Sequence, residues 1–234
     1  LGDPSIYTYK NDENRKKAKS AHWHNCLTLN HRNPWEYISS WESGKQDIGD
    51  IMCVKQNSQF MYATAFHMNY RPTRHQRTVA VVDSRFLAVM DYLEDIEPDT
   101  SVQINFHMDA SRAVADSEQS FAQSLSDDAN VAVFSDKRLK PHLVPAKISV
   151  IDYTWHDTMI ALCETDHLSD TDTAFLSVAV PLRPVCTAPS VTDINSHIVR
   201  PGEVHFSVRI DNTYYTLKLS DGSLTIERTA ASQA

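Results

Sequence analysis

Five side chains near the start of the chain have the types and spacing that bind metal ions or transfer protons. A carboxylate and two phenols come first and two imidazoles follow, with a basic connector through Lys19 between them; the five residues are Asp3, Tyr7, Tyr9, His22 and His24. The connector is long enough to bring the two parts together as neighbouring strands. A carboxylate that joins two imidazoles forms a ligand set that suits zinc or manganese.

The two histidines flank Trp23, and the apolar residues after them predict a strand over residues 22–29. Side chains at i and i+2 of a strand point to the same face. We therefore expect His22 and His24 to project together, with Trp23 on the other face. The alternative is that both histidines are ordinary hydrogen-bonded surface residues at a strand end.

Composition and charge favour some partners over others. The chain has 234 residues, is 41% hydrophobic and carries a net charge of −8. Because phosphate binding needs a positive surface, we expect no nucleic-acid partner. The cluster of Arg15, Lys16, Lys17 and Lys19 is compatible with a sulfated or uronate glycan, and equally with a solvated loop.

Four widely spaced cysteines form no CxxC pair, which excludes zinc-ribbon and thioredoxin-type sites. Two disulfides or free buried thiols both stay open for these residues, which are Cys26, Cys53, Cys163 and Cys186. No apolar run is long enough to span a bilayer, so we expect no membrane partner. The sequence begins without Met in mid-element, and we expect it to be the later part of a longer protein.

Short alternating or apolar runs separated by polar breaks predict an all-β fold. Tight hairpin connections are predicted at residues 83–85, 211–212 and 221–222. The strongest alternation, over Val102–Met108, indicates a half-buried strand. We predict one large antiparallel β-sandwich of two packed sheets over residues 1–234, with a short helical turn around 117–125 and a frayed tail over 229–234. The predicted strands cover residues 51–54, 59–69, 78–83, 86–92, 102–108, 131–134, 147–153, 174–182, 204–210, 213–219 and 223–227.

The opening segment also resembles a known family. Asp-Pro-x-x-Tyr-x-Tyr from Asp3, then Arg15, then Ser-x-x-x-His-Asn over residues 20–25 resembles the segment that crosses the β-sandwich domain of heparinase II/III-like polysaccharide lyases. Ser5 replaces the usual Gly, and Ala21 stands where Thr is common. Residues 75–91 and 174–182 resemble later strands of that domain less specifically. The resemblance implies a β-sandwich that follows an N-terminal α/α-toroid domain absent from this chain.

The resemblance implies that Asp3 and His24 are ligands of a structural divalent cation. It also implies a third ligand from an HxH segment upstream of residue 1. Zinc is the expected ion, with manganese or calcium as alternatives.

The implied function is cleavage of a uronic-acid polysaccharide, such as a heparan-type glycosaminoglycan or alginate, by β-elimination. Tyr7 is expected to be a catalytic or substrate-contacting phenol, and Arg15 and His22 are expected to bind substrate. Anchoring of a loop by Arg15, and a purely supporting hydrogen bond from His22, stay open. This chain alone is expected to lack a complete catalytic set, and a secreted or periplasmic location is implied. The alternative is a non-catalytic carbohydrate-binding or scaffold module.

Overall fold

Sixteen strands make up nearly all the regular structure in the computed structural model, which describes residues 1–165, 168, 173–184 and 186–230. Two short helices, α1 (Glu13–Ala18) and a 3-10 helix (Ala21–Trp23), precede the first strand. The all-β prediction is confirmed. Among the described residues, neither helix has the length and apolar character that crossing a bilayer requires. The strands are β1 (Leu27–Leu29), β2 (Gly49–Gln56), β3 (Phe60–Tyr70), β4 (Thr73–Val82), β5 (Phe86–Glu94), β6 (Val102–Met108), β7 (Ala113–Asp116), β8 (Phe121–Ser124), β9 (Asn130–Ser135), β10 (Lys140–Ile151), β11 (Thr154–Thr165), β12 (Ala174–Leu182), β13 (Val191–Arg200), β14 (Glu203–Ile210), β15 (Thr213–Ser220) and β16 (Ser223–Ala230).

The described strands form three antiparallel sheets. An eight-stranded central sheet has the order β2-β3-β4-β5-β12-β9-β8-β7. The N-terminal sheet is β1-β6-β11-β10 and the C-terminal sheet is β13-β14-β15-β16. The predicted sandwich is therefore correct, but the prediction of two sheets was wrong, because each face of the central sheet packs against a small sheet of its own.

Strand β5 shows why the core has two halves. Its alternate side chains point to opposite faces, so Ala88 and Met90 pack against the C-terminal sheet while Val89 and Leu93 pack against the N-terminal sheet. All four are buried. A strand that is covered on both faces reads as a nearly continuous apolar run, and burial of a side chain such as Met90 contributes roughly 1.5–3 kcal/mol.

Strand β6 is buried on both faces, whereas its alternation predicted one exposed face. Its polar face lies under the N-terminal segment. Asn105 donates to the Ala21 carbonyl, and Gln103 accepts from the Thr28 hydroxyl. The prediction failed because the polar side chains find protein partners in place of water.

The predicted connections and termini are partly correct. Hairpins at 83–85, 211–212 and 221–222 are confirmed, with Asp83, Asp211 and Gly222 at positive φ. The helical turn predicted around 117–125 was wrong, because β7 and β8 form a hairpin there. The frayed tail was wrong at 229–230, which belong to β16 and pair with Tyr214 and Thr213 of β15, and residues 231–234 lie outside the described residues. Strand β13 was not predicted.

The basic connector forms α1, and no helix was predicted there. Asp12 caps the helix by accepting the backbone N–H of Arg15, and good helix formers follow it. The helix has six residues, which is too short for an amphipathic period to show in the sequence. The four cysteines lie in described residues and are free thiols.

Candidate functional site

Asp3 and His24 meet at the start of the N-terminal sheet. The Nδ1 atom of His24 lies 2.8 Å from Oδ2 of Asp3. The two side chains are partly exposed, at 29% for His24 and 62% for Asp3. Their proximity agrees with what the resemblance implies. The predicted neighbouring strands were wrong, because Asp3 lies in irregular chain and His24 caps the end of the 3-10 helix.

The other nitrogen of His24 determines what the pair can bind. Nε2 lies 2.8 Å from the carbonyl oxygen of Ala18, which can only accept, so Nε2 carries a proton. Nδ1 then faces an acceptor, the Asp3 carboxylate. Either a proton on Nδ1 or a cation shared with Asp3 satisfies both atoms. A carbonyl that fixes the far nitrogen is how metal-binding histidines are usually oriented.

The Asp3 carboxylate is held in its ionised form. Burial by itself would raise the pKa of Asp3, but hydrogen bonds from the Ser5 N–H and from His24 outweigh burial, and the pKa lies below its usual value. Once Nδ1 of His24 gives up the proton of this hydrogen bond, the ionised carboxylate and the imidazole lone pair form a fitting donor set for a divalent cation. The described residues bring no third His, Cys, Asp or Glu into a cluster with the pair.

Asn25 ties the pair to the sheets. Its side-chain amide donates to the Gly2 carbonyl at 2.7 Å and accepts the His107 backbone N–H at 2.9 Å. The backbone carbonyl of Asn25 accepts a hydrogen bond from the guanidinium of Arg77 of β4 at 2.6 Å. Asn25, which follows His24, thus tethers Gly2, which precedes Asp3.

A buried ionic network stands behind Asn25. The guanidinium of Arg77 donates through Nε and Nη2 to the two carboxylate oxygens of Asp91, at 2.7 and 2.9 Å. His75 contacts Asp91 at 2.6 Å and His67 at 3.1 Å. Burial alone would raise the pKa of Asp91, but Arg77 and His75 lower it to about 2. Burial lowers the pKa of His67 to about 4.

His107 is a neighbour of the pair that sequence reasoning did not select. Its Nδ1 contacts the Trp23 carbonyl at 2.7 Å, and its Nε2 contacts the Thr158 hydroxyl at 2.6 Å. Burial lowers its pKa. The sequence places His107 on the polar face of β6. It does not show that this face is buried, which only the tertiary structure reveals.

Tyr7 lies in an aromatic cluster that includes Trp155 of β11. Its ring stacks on Trp155 with centroids 4.3 Å apart and planes 9° apart. Trp23 meets Trp155 edge-on at 5.5 Å. The backbone of Tyr7 has a positive φ of 57°, and its carbonyl accepts the N–H of Tyr153 at 2.8 Å. The half-buried ring is therefore held in a defined orientation.

His22 and Arg15 lie apart from the Asp3–His24 contact. His22 belongs to the 3-10 helix and hydrogen-bonds to the backbone of His31, and burial lowers its pKa. The prediction that His22 and His24 project together was wrong, because a helical turn does not alternate like a strand. Arg15 lies 5.3 Å from the ring centroid of Tyr9 and donates to the Ser40 carbonyl at 3.4 Å. This geometry suits the loop-anchoring alternative, and substrate binding by Arg15 and His22 stays a prediction.

Comparisons with known proteins add a family and a fold. The family model described as "Heparinase II/III-like, C-terminal" matches residues 2–161. A search of curated proteins finds no match. The chain is similar in structure to a "Heparinase III-BT4657 gene product", with a TM-score of 0.76, 14% identity, and coverage of 98% of this chain and 34% of that one.

A second solved structure gives the same picture. The heparan sulfate lyase HepC from Pedobacter heparinus matches with a TM-score of 0.72 and 15% identity over 100% of this chain and 35% of that one. At such identities the likeness establishes the fold. The chain spans about a third of the length of these structures.

Proposed function

Because the chain belongs to the heparinase II/III-like C-terminal family, we propose that it is the β-sandwich part of a lyase that cleaves a uronic-acid polysaccharide by β-elimination. The observation that carries the proposal is the 2.8 Å contact between Asp3 and His24, within the segment that bears the resemblance. Heparan-type glycosaminoglycan and alginate are the proposed substrates. A secreted or periplasmic location follows from such substrates, which are found outside the cytoplasm.

β-Elimination requires three catalytic contributions from the protein. A base removes the proton α to the uronate carboxylate, an acid protonates the leaving oxygen, and positive charge or hydrogen bonds neutralise the carboxylate so that the proton becomes acidic. Tyr7 is proposed to supply a phenol for proton transfer or substrate contact, with its ring fixed on Trp155. The remaining groups are proposed to come from a part of the lyase outside this chain.

Asp3 and His24 are proposed to hold a divalent cation, zinc first, with manganese and calcium as alternatives. The proton on Nε2 and the Nδ1 atom directed at an ionised carboxylate support this assignment. A third ligand is proposed to come from the preceding part of the lyase. The ion, when bound, supplies a structural crosslink between the first residues of the chain and the end of the 3-10 helix.

An uncovered apolar face of the central sheet supports a second domain as partner. On β2 and β3, Ile51 is 66% exposed, Val54 67% and Met61 53%. Ile51 of β2 pairs with Ala65 of β3, and Ala65 pairs in turn with Arg77 of β4. These three side chains therefore lie on the same face of the central sheet. Arg77 reaches Asn25, so this face borders the Asp3–His24 contact. We assign the preceding domain of the lyase to this face.

The test of function uses the longer protein with heparan sulfate and, separately, with alginate. Cleavage by elimination yields unsaturated uronate, which absorbs in the near ultraviolet. Tyr7→Phe should lower kcat by about 10²–10⁴-fold if the phenol transfers a proton. Tyr214→Phe, on the C-terminal sheet, is the matched control. Absence of unsaturated product from both polymers would leave the non-catalytic module as the better account.

A further inference from the structure

An exposed aromatic stack is formed by two side chains that take no part in the Asp3–His24 contact. The indole of Trp41 is 76% exposed and stacks on Tyr9, with centroids 4.9 Å apart and planes 4° apart. Tyr9 is itself 47% exposed. Exposed apolar side chains that lie together, unlike single ones, often mark the binding site of a ligand or partner.

The loop that carries Trp41 is held by Arg15 of α1 and by Lys19, which caps the end of that helix. Lys19 donates to the carbonyls of Ser39 and Ser40 at 3.2 and 3.5 Å, and Arg15 donates to the Ser40 carbonyl. The Ser39 hydroxyl accepts the backbone N–H of Trp41 at 3.3 Å. The stack is thus preorganised, which lowers the entropy lost when a ligand binds.

A basic groove lies beside this loop. It has a volume of about 490 Å³ and runs between α1 and the segment that contains Trp35 and Tyr37. Lys16, Lys17 and Lys19 line it, and Lys19 lies 5.3 Å from the Tyr37 ring centroid. Two carboxylates, Glu13 and Glu36, also line it, so the groove has a formal charge of +1. Tyr37 in the groove and Trp41 in the stack belong to one short loop, since Tyr37 pairs with Ser43 across it.

We infer that the Trp41–Tyr9 stack and the lysine groove together bind an anionic polysaccharide chain through side chains other than the proposed catalytic Tyr7. The C–H face of a pyranose ring packs on the open indole, and sulfate or carboxylate groups of the neighbouring sugars contact Lys16 and Lys17. A polymer suits the site because a stacking surface and a charged groove lie side by side. The choice of an acidic glycan rests on the proposed function, while the site itself rests on the geometry of the loop and α1.

The test titrates this chain with a heparin-derived hexasaccharide and follows the indole N–H signals by NMR. The chain has four tryptophans, and the signal missing from Trp41→Phe identifies the Trp41 signal. We expect that signal to shift and saturate, and Trp41→Ala to weaken binding by at least about tenfold, or 1.4 kcal/mol. The double variant Lys16→Gln, Lys17→Gln should weaken binding and reduce its salt dependence.

The control variants change an exposed ring and an exposed charge outside the proposed glycan site. Tyr214→Ala and Lys55→Gln remove an exposed ring and an exposed charge elsewhere, and they should leave the affinity within twofold of the parent chain. Equal binding of uncharged maltohexaose would overturn the assignment to anionic glycans. An unmoved Trp41 signal, or unchanged affinity in Trp41→Ala, would overturn the site. These binding results are independent of lyase activity, which the longer protein reports.

Discussion

Replacement of Asp91 by Asn tests whether the buried ionic network stabilises the fold behind Asn25. The Asp91 side chain is 1% exposed and is the partner of Arg77, whose side chain is 20% exposed. The substitution keeps the size of the side chain but removes its charge. Arg77 would then be left as a largely buried cation without a counter-ion, which costs about 3–5 kcal/mol.

The pH dependence gives an independent measure of the same interaction. The pKa of Asp91 is lowered from 3.8 to about 2 in the folded protein. A carboxyl group whose pKa is depressed by folding contributes stability that is complete above the unfolded pKa and is lost as the pH falls through the folded pKa. The shift corresponds to about 2 kcal/mol. Asp91→Asn should therefore remove part of the stability loss between pH 4 and pH 2.

Urea unfolding followed by circular dichroism measures both effects. Glu94→Gln is the matched control, because Glu94 pairs with Arg74 three positions along the same two strands and is more exposed, at 24%. Glu94→Gln should lower the free energy of unfolding by about 1 kcal/mol or less. The double variant Arg77→Met, Asp91→Leu should recover most of the loss, since it leaves no unpaired charge. A loss from Asp91→Asn no larger than that from Glu94→Gln would refute the reasoning.

Four further predictions concern the site, the core and the uncovered face. Asp3→Ala and His24→Ala should each abolish divalent metal content in the longer protein by elemental analysis, while His142→Ala retains it; unchanged content in both would remove the assignment. Asn25→Ala should weaken metal affinity by about 10–100-fold in a chelator competition, because it releases Gly2 from its tether. Folding lowers the pKa of His67 to about 4. The free energy of unfolding should therefore decrease as the pH falls from 6.5 to 4, because the imidazole takes up a proton in the unfolded state but not in the folded state. His67→Asn should reduce this decrease in a series of urea unfolding midpoints over that pH range. Met90→Ala should cost about 2–5 kcal/mol in urea unfolding and Val54→Ala within about 0.5, and a similar cost for both would contradict the burial pattern.

Local patterns in the sequence were enough to predict the strand class and several turns. Strands β3, β5 and β12 follow apolar runs, and the hairpin at 83–85 follows polar residues that tolerate positive φ. The contact between Asp3 and His24 was predicted from a resemblance, since residues so far apart in sequence have no local signal of proximity. Residues in α1 carried no readable period because the helix is less than two turns long.

What the sequence determined by itself was the alternation of side chains along each strand, and with it which residues share a face. What only the tertiary structure decided was what covers each face. The alternation along β6 puts its polar residues on one face, which the N-terminal segment buries, whereas the apolar run of β2 contains Ile51 and Val54, which stay exposed. Alternation depends on backbone geometry over a few residues, whereas coverage depends on contacts between segments that are distant in the chain. For the same reason, the helical turn that separates His22 from His24 and the cluster around Tyr7 emerged only from the folded chain.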